Sequence, residues 1–398
     1  MKYDVLIVGK GLIGCAIARH LSRSMRKIAI VGPDEPEDYS KAIVFASHYD
    51  SGRVQRLIGQ TDAMTQLNLE SVRQYEGLQE ESGVVFHKGS GCLYVHPLGT
   101  DDYLDRAVER SRRFGVEATM YAAGREIESS FPEFHFPASA KGMSELSPSG
   151  YISPPMMISA QLKVFEKNEG TVIRETVKGI RYRKHCAEVT TQEGNQYEAA
   201  SVVLAAGAFT NFSNLLEQPI DLVIKSETVL LAKVSREEAT RLSLMPSLLY
   251  ELDDGEVEGI YATQPIQYPD GNYYLKMGCN LPEDIFFSND LPAIQDWFRF
   301  GDSQAYEERM LQHLQIIMPY LKVEGHTSKR CILPRTQHHK NPYIGKVDER
   351  LFITAPNGWS AMCADGVGNV MASLILHGEF PATYNPKDFE LFFRDKAW

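Results

Sequence analysis

Residues 3–14 read YDVLIVGKGLIG, an apolar run of strand character that ends directly in glycines at positions 9, 11 and 14. In a strand–turn–helix unit each glycine has its own task. Gly9 permits the tight turn, Gly11 lets backbone amides approach a phosphate, and Gly14 lets the following helix lie close to the strand. The helix expected over residues 12–23 turns its N-terminal amides and the positive end of its dipole toward an anion. A second strand, residues 27–31, follows at the spacing of a βαβ unit. The stretch therefore reads as the pyrophosphate site of a dinucleotide. A GxGxxG on its own is a weak signal, and the strand before it and the amphipathic helix after it carry the reading. The acid that ordinarily closes the second strand on the ribose hydroxyls is missing, because Gly32 and Pro33 stand there. Asp34 and Glu35 are the nearest substitutes, the alternative being that both are solvated loop carboxylates.

Outward from that stretch, 398 residues with a 43% hydrophobic fraction suffice for a large core, and the length suggests about two or three domains. Asp and Glu outnumber Lys and Arg by 52 to 41, a formal charge of −11, which argues against nucleic acid or an acidic membrane as partner. The six cysteines, at 15, 92, 186, 279, 331 and 363, form no CxxC pair, so neither a metal site nor a disulfide framework is expected. No apolar run approaches membrane-spanning length, and a core strand starting within three residues of Met1 leaves no room for a signal peptide. The expectation is a soluble, cytoplasmic monomer or small homo-oligomer.

Residues 34–59 form a polar loop too long for a mere connection, and loops of that size are often functional. Helices are expected over 61–81, 102–114 and 156–168, and a long helical region over 291–321. The stretch 84–95 has strand character, and the turn-rich SPSGYISPP at 147–155 marks a boundary. Strands follow at 170–174, 177–183 and 187–191, and the run 199–209, AASVVLAAGAF, reads as a buried parallel strand reaching a glycine turn at Gly207. Strands at 227–234, 248–252, 259–264 and 272–278 are spaced like an antiparallel sheet. Residues 351–376 supply a short strand, a glycine-containing turn and a helix that returns to the first domain. The domains are thus expected to be discontinuous, with 1–83, 151–218 and 325–398 for the dinucleotide and 84–150 and 219–324 for the substrate.

With the glycines at 9 to 14, the strand ending at Gly207 and the closing turn over 357–368, the chain resembles the D-amino-acid-oxidase superfamily of flavoproteins, and within it the monomeric sarcosine oxidase group. The resemblance spans nearly the whole length. It implies an α/β fold: a Rossmann-like FAD-binding domain plus an antiparallel-sheet substrate domain. Residues 47–56, SHYDSGRVQR, are similar to the family segment beside the flavin ring. The resemblance implies Ser47 and His48 at the flavin, Arg53 over it, and Arg56 gripping a substrate carboxylate, tasks suited to a permanently charged, bidentate guanidinium. A surface loop with two solvated arginines is the alternative. Residues 272–278, NYYLKMG, match the strand that carries an oxygen-activating lysine, here Lys276, a fixed cation for the negative charge that develops as O2 is reduced. By alternation Lys276 shares a face with Asn272 and Tyr274, the alternative being an edge-strand lysine directed at solvent.

Cys331, in KRCILPRT, stands where the family attaches FAD through a thioether; Pro342, Tyr343, Ile344 and Gly345 help to fix that register, and Lys329 and Arg330 favour a thiolate. A buried structural cysteine is the alternative. Residues 355–366, APNGWSAMCADG, are similar to the flavin-contacting loop before the last helix, which implies Gly358 and Met362 at the cofactor. Gly9, Gly11, Gly14, Asp34, Val177 and Gly207 complete the implied FAD contacts. Three departures weaken the case for simple N-methylglycine as substrate. Met362 replaces a lysine of the family's carboxylate clamp, Asn280 replaces a histidine four residues after Lys276, and Tyr49 stands where sarcosine oxidases have a second histidine. His338 and His339 are candidates to replace the lost polar contacts, with a solvated turn as the alternative.

The resemblance implies an FAD-dependent oxidase of a primary or secondary amine or amino acid, in which hydride passes to flavin N5, the imine hydrolyses and O2 becomes peroxide. Positioning outweighs acid–base work in such chemistry. Lys276, Arg53 and Tyr49 are the candidate catalytic residues, and Arg56, Asn280 and Met362 the candidate substrate contacts. Three alternatives stand beside this reading. They are an FAD-dependent 2-hydroxy-acid or amine dehydrogenase feeding a quinone or carrier, a nicotinamide-dependent dehydrogenase sharing only the first βαβ unit, and a non-enzymatic FAD-binding protein.

Overall fold

A computed structural model describes residues 2–98, 102–287 and 290–394. Strand Lys2–Val8 is paired in parallel on both sides, with Ile28–Val31 and with Gln196–Leu204. Leu351–Ala355 and Thr171–Ile173 extend the parallel set on either flank. Parallel strands covered on both faces have to be apolar throughout, and IAIV and LFITA are buried at every position. Three antiparallel strands, Val177–Tyr182, Ala187–Thr191 and Tyr343–Asp348, complete an eight-stranded sheet. The strand expected to reach residue 209 ends at Leu204, after which Gly207–Phe209 form a short 3-10 turn.

Helix Leu12–Ser22 packs against Pro154–Lys167 and Ala364–His377. Its approach to the last helix is close because Gly368 faces Ala16, where a Cβ on Gly368 would lie 2.5 Å from that of Ala16. A buried charge network ties the three helices together. Arg19 Nη2 donates to Asp365 Oδ1 at 2.6 Å and Oδ2 at 2.9 Å, Arg19 Nε donates to Gln161 Oε1 at 2.5 Å, and His20 Nε2 lies 2.6 Å from Asp365 Oδ1. Burial alone would raise the Asp365 pKa, but His20 and then Arg19 reverse that and hold the carboxyl below its usual range.

The second sheet has nine strands, with Leu222–Val234, Tyr273–Asn280, Glu258–Gln267 and Ser247–Asp253 antiparallel in that order at its centre. The next neighbour, Cys92–His96, is parallel to Ser247–Asp253, so the sheet expected to be antiparallel contains one parallel pair, formed where an earlier segment is added. The 84–95 stretch divides at glycines 89 and 91. His87–Lys88 joins a three-stranded sheet with Arg53–Gln55 and Gly150–Ile152, and Cys92–His96 joins the large one. The helical region 291–321 is broken into Leu291–Phe300 and Glu307–Ile317, because Gly301 lies against Trp297 and Asp302 caps a separate 3-10 turn. A strand absent from the sequence reading, Gly325–Thr336, runs antiparallel to Leu222–Val234 from Leu222 opposite Thr336 to Lys233 opposite Gly325. Residues 325–336 therefore pair with the second sheet, and the boundary expected at 325 falls too early. Among the described residues no strand pairs with its other edge, which is why Pro334 is tolerated there without a backbone N–H. Among the described residues no helix is long and apolar enough to cross a membrane.

Replacing Asp365 with alanine leaves Arg19 buried and short of its partner, and is expected to cost about 3–5 kcal/mol in denaturant-monitored unfolding. Because the folded pKa of Asp365 is lowered, the wild-type advantage is full above the ordinary carboxylate pKa of about 4 and is lost as pH falls through the folded value. A difference that stays constant across that range would remove Asp365 ionisation as its source.

Candidate active site

The C-terminal ends of the parallel strands open into one cavity, lined at this end by Val8, Gly9, Val31, Ala205 and Thr354. The strand ends come together because residue 9 has no side chain: Gly9 has φ +117°, and a Cβ there would lie 2.2 Å from Ala205 O. A Cβ on Gly14 would lie 1.9 Å from Gly9 O, so the helix rests directly on the turn. Gly11 faces the cavity, caps helix Leu12–Ser22 without a side-chain acceptor and leaves the first helical amides open to an anion. These residues fit a dinucleotide pyrophosphate. The missing ribose acid also has a local cause. A Cβ on Gly32 would meet Lys10 Cβ and N at 2.7 Å, so no side chain fits there. Asp34 departs from expectation as well. Its carboxylate turns to Lys10 Nζ at 2.5 Å and Arg174 Nε at 3.4 Å and does not line the cavity.

The cavity continues past Ser47, His48, Tyr49, Val177 and Gly207, all on its surface. Ser47 Oγ donates to Ile332 O at 2.8 Å, joining the 34–59 loop to the Cys331 strand. Burial, then Lys10 and Arg53, push the His48 imidazole down to about 3, so it is neutral. Burial first, then Glu35 and Asp34, raise the Tyr49 hydroxyl, which donates to Asp34 O at 3.3 Å.

At the far end a single carboxylate, Asp50, collects two cations. Arg53 Nη1 donates to Asp50 Oδ2 at 2.5 Å, Lys276 Nζ pairs with the same oxygen, and Tyr268 Oη donates to Oδ1 at 2.8 Å. Lys276 also donates to Gly52 O at 2.7 Å. It is no edge residue: its strand is central, and the side chain is fully buried behind the cavity wall, 5.7 Å from the Tyr261 ring centroid. Burial would raise Asp50, but Lys276 and then Arg53 overcome it and hold the carboxyl well below its usual range. Burial and then Arg53 push Lys276 down to about 8 against the pull of Asp50. The asymmetry has a plain cause, since Asp50 has two cations to itself whereas Lys276 shares its one carboxylate.

Cys331, Asn280, Gly358 and Met362 line the cavity, and Arg53 Nη2 lies 4.0 Å from Cys331 Sγ. Other expected residues are elsewhere. Arg56 is buried off the cavity surface, where its Nη1 donates to Tyr103 Oη at 2.7 Å and its guanidinium lies 5.8 Å from the Tyr94 ring centroid. His338 stacks on Phe392 and lies 3.0 Å from Asp221 Oδ2, and His339 is held by backbone carbonyls of Asn341 and Glu390; neither reaches the cavity. The sequence reading missed Glu227, Tyr261 and Arg335, all on the cavity surface. The signal for the first was a pair of charges, Lys225 and Glu227, inside the otherwise apolar strand LVIKSETVLLAKV. Arg335 Nε is buried and has no hydrogen-bond partner among the described residues.

A dinucleotide cradle that opens into a cavity walled by a second sheet, with buried cations at the far end, defines a flavoenzyme-like architecture. A family model described as FAD dependent oxidoreductase (DAO) matches residues 4–374, and the chain belongs to that family. It is an FAD-dependent oxidoreductase. Peroxisomal sarcosine oxidase from Homo sapiens is 22% identical over 348 residues, 84% of this chain and 81% of that protein. An N-methyl-L-tryptophan oxidase from Citrobacter koseri is 21% identical over 226 residues, 56% and 58% of the two chains. Among solved structures, the open form of NikD, described as an unusual amino acid oxidase, aligns with a TM-score of 0.77 at 16% identity over 98% of both chains. Glycine oxidase from Geobacillus kaustophilus aligns with a TM-score of 0.71 at 20% identity over 98% of both.

Proposed function

We propose that the chain oxidises an amine or amino acid at the carbon beside nitrogen and passes the electrons to O2. The observation that carries this reading is the Asp50 cluster, which fixes Arg53 on the cavity surface and Lys276 just behind it, where the FAD cradle meets the second sheet. The names of the similar proteins, oxidases of sarcosine, glycine and N-methyl-L-tryptophan, support an amine-bearing substrate. When bound, FAD supplies the acceptor for a hydride and the route of its electrons to O2, and water hydrolyses the imine product.

The protein groups divide the remaining tasks. Lys276, held by Asp50 and Gly52 O, presents a fixed positive charge to the anion that develops during O2 reduction, with no reorganisation required at that moment. Cys331, on the cavity surface with Arg53 Nη2 4.0 Å from its sulfur, is the candidate to hold FAD through a thioether. For a substrate carboxylate, Arg335 is the better anchor than Arg56, because it lines the cavity with an unpartnered Nε whereas Arg56 is occupied by Tyr103.

Anaerobic addition of a candidate amine should bleach the flavin, and admission of air should restore it with release of peroxide. Fast dye reduction without peroxide would favour a dehydrogenase instead. Lys276→Met should slow reoxidation by O2 about a hundred- to a thousand-fold. In the wild type that step should weaken as pH rises through about 8, where the ammonium loses its charge, and the variant should lack this dependence.

Acid-precipitated, washed protein should keep its flavin absorbance, and Cys331→Ser protein should lose it. A colourless wild-type pellet would return Cys331 to core packing.

Arg335→Ala should raise KM for an acidic substrate about tenfold or more while affecting a neutral analogue little. Arg56→Ala should leave that ratio unchanged, and the reverse pattern would restore Arg56 as the anchor.

A further inference from the structure

The strand Leu222–Val234 presents a carboxylate, Glu227, to the cavity, directly opposite Cys331 on the neighbouring strand. Cross-strand partners share a face with Cβ atoms about 4.5–5.5 Å apart, so Glu227 stands beside the sulfur proposed to hold the flavin. Its surroundings are short of positive charge. Lys225 Nζ lies 2.9 Å from Glu227 Oε2 and also pairs with Asp284, and among the described residues neither carboxylate has another cation within ion-pair distance. Two carboxylates thus share one ammonium. Asp284 suffices for Lys225 and additionally accepts from Leu281 N at 3.0 Å, so Glu227 is the surplus charge. Its second oxygen, Oε1, lies 3.4 Å from Tyr261 Oη, another group on the cavity surface. Burial first raises the Glu227 carboxyl against Lys225, with the Asp284 charge adding to the rise and the more distant Lys276 opposing it. An incompletely balanced buried carboxylate is costly in a wall that serves packing alone.

We infer that Glu227 is a specificity-determining residue that recognises a cationic nitrogen on the substrate, so that the enzyme selects basic amines in their ammonium form. The inference rests on the reading of this cavity as an amine-oxidising site. The substrate ammonium donates to Glu227, which takes one proton from it before hydride leaves the neighbouring carbon, since only the neutral amine can become the imine; Tyr261 and Asn280 border the same space. An ether, an amide or a weakly basic nitrogen of the same shape leaves that charge unmatched and binds less well.

The test uses FAD-loaded protein and two matched probe pairs, N-methylglycine with methoxyacetate and L-proline with tetrahydrofuran-2-carboxylate. Within each pair the carboxylate is kept and only NH2+ is exchanged for an ether oxygen. Half-saturation of the flavin absorbance change, read without O2, reports affinity for reducing and non-reducing probes alike. Wild-type protein should prefer the ammonium member of at least one pair by about tenfold or more, and Glu227→Gln should reduce that preference about tenfold while leaving the ether member within about twofold. Glu227→Asp, which keeps the charge at shorter reach, should recover part of it. Lys225 keeps Asp284 in both variants, so flavin content and thermal unfolding should stay close to wild type. The inference is overturned if the preference survives in Glu227→Gln, if wild-type protein prefers the ether members, or if neither pair perturbs the flavin. Flavin that no amine reduces would sink the oxidase reading itself; flavin that amines reduce equally in both proteins would sink only the role of Glu227.

Discussion

The Asp50 carboxylate is the interaction on which the site depends. It comes from the 34–59 loop, yet its partners come from separate elements: Arg53 from the small sheet, Lys276 from the centre of the large one, and Tyr268 from the hairpin before that strand. A loop with little regular structure is thereby pinned to the second large sheet. Removing one member of a buried ionic set typically costs about 3–5 kcal/mol, because the others keep their desolvation penalty without its compensation. The same contacts place Ser47, His48 and Tyr49 along the cavity, so the geometry of the cofactor wall follows from one buried charge.

The two sheets contribute in different ways. The parallel sheet works through backbone: its strand ends converge where Gly9 and Gly14 have no side chains, and the helix above them offers bare amides. Ligands in open parallel sheets lie in the crevice at these carboxyl ends for that reason. The second sheet works through side chains, because alternation along a strand sends every second residue to one face. Glu227 and Cys331, opposite each other on neighbouring strands and so on one face, both reach the cavity.

This difference explains how much could be read from the sequence. The glycine cradle was legible because its cause is local: a turn, a close approach and a helix start within twelve residues. Lys276 and Cys331 were singled out through motifs that resemble a family, and Arg53 lies beside both, paired with the same carboxylate as Lys276 and 4.0 Å from the Cys331 sulfur. Arg56 was misplaced by the same resemblance. Three residues apart on and just beyond the strand Arg53–Gln55, the two arginines point to opposite faces, and Arg56 joins Tyr94 and Tyr103 on the side of Val54. Gly32 was opaque because the side chain that excludes its Cβ, Lys10, comes from a different element. Glu227 and Arg335 were hidden for a related reason. Residues 227–234 were read as a strand but 325–336 were not, and only the pairing of Leu222–Val234 with Gly325–Thr336 shows which residues share the cavity face.

The charges around that face form two unequal sets. Around Asp50, two cations share one carboxylate; around Lys225, two carboxylates share one cation. Each set is therefore off balance by one unit, in opposite senses, and the six groups together are neutral. Tyr261 stands between them, with Lys276 Nζ 5.7 Å from its ring centroid and Glu227 Oε1 3.4 Å from its hydroxyl. Had the two sets been in direct contact they would have cancelled. Tyr261 separates the sets without insulating them, since Lys276 still offsets part of the burial of Glu227, and each keeps part of its excess charge. Oxidation of an amine by O2 presents both, a substrate nitrogen that arrives as a cation and an oxygen that is reduced through an anion. In the proposed reaction a cavity of this polarity would hold the first at Glu227 and stabilise the second at Lys276.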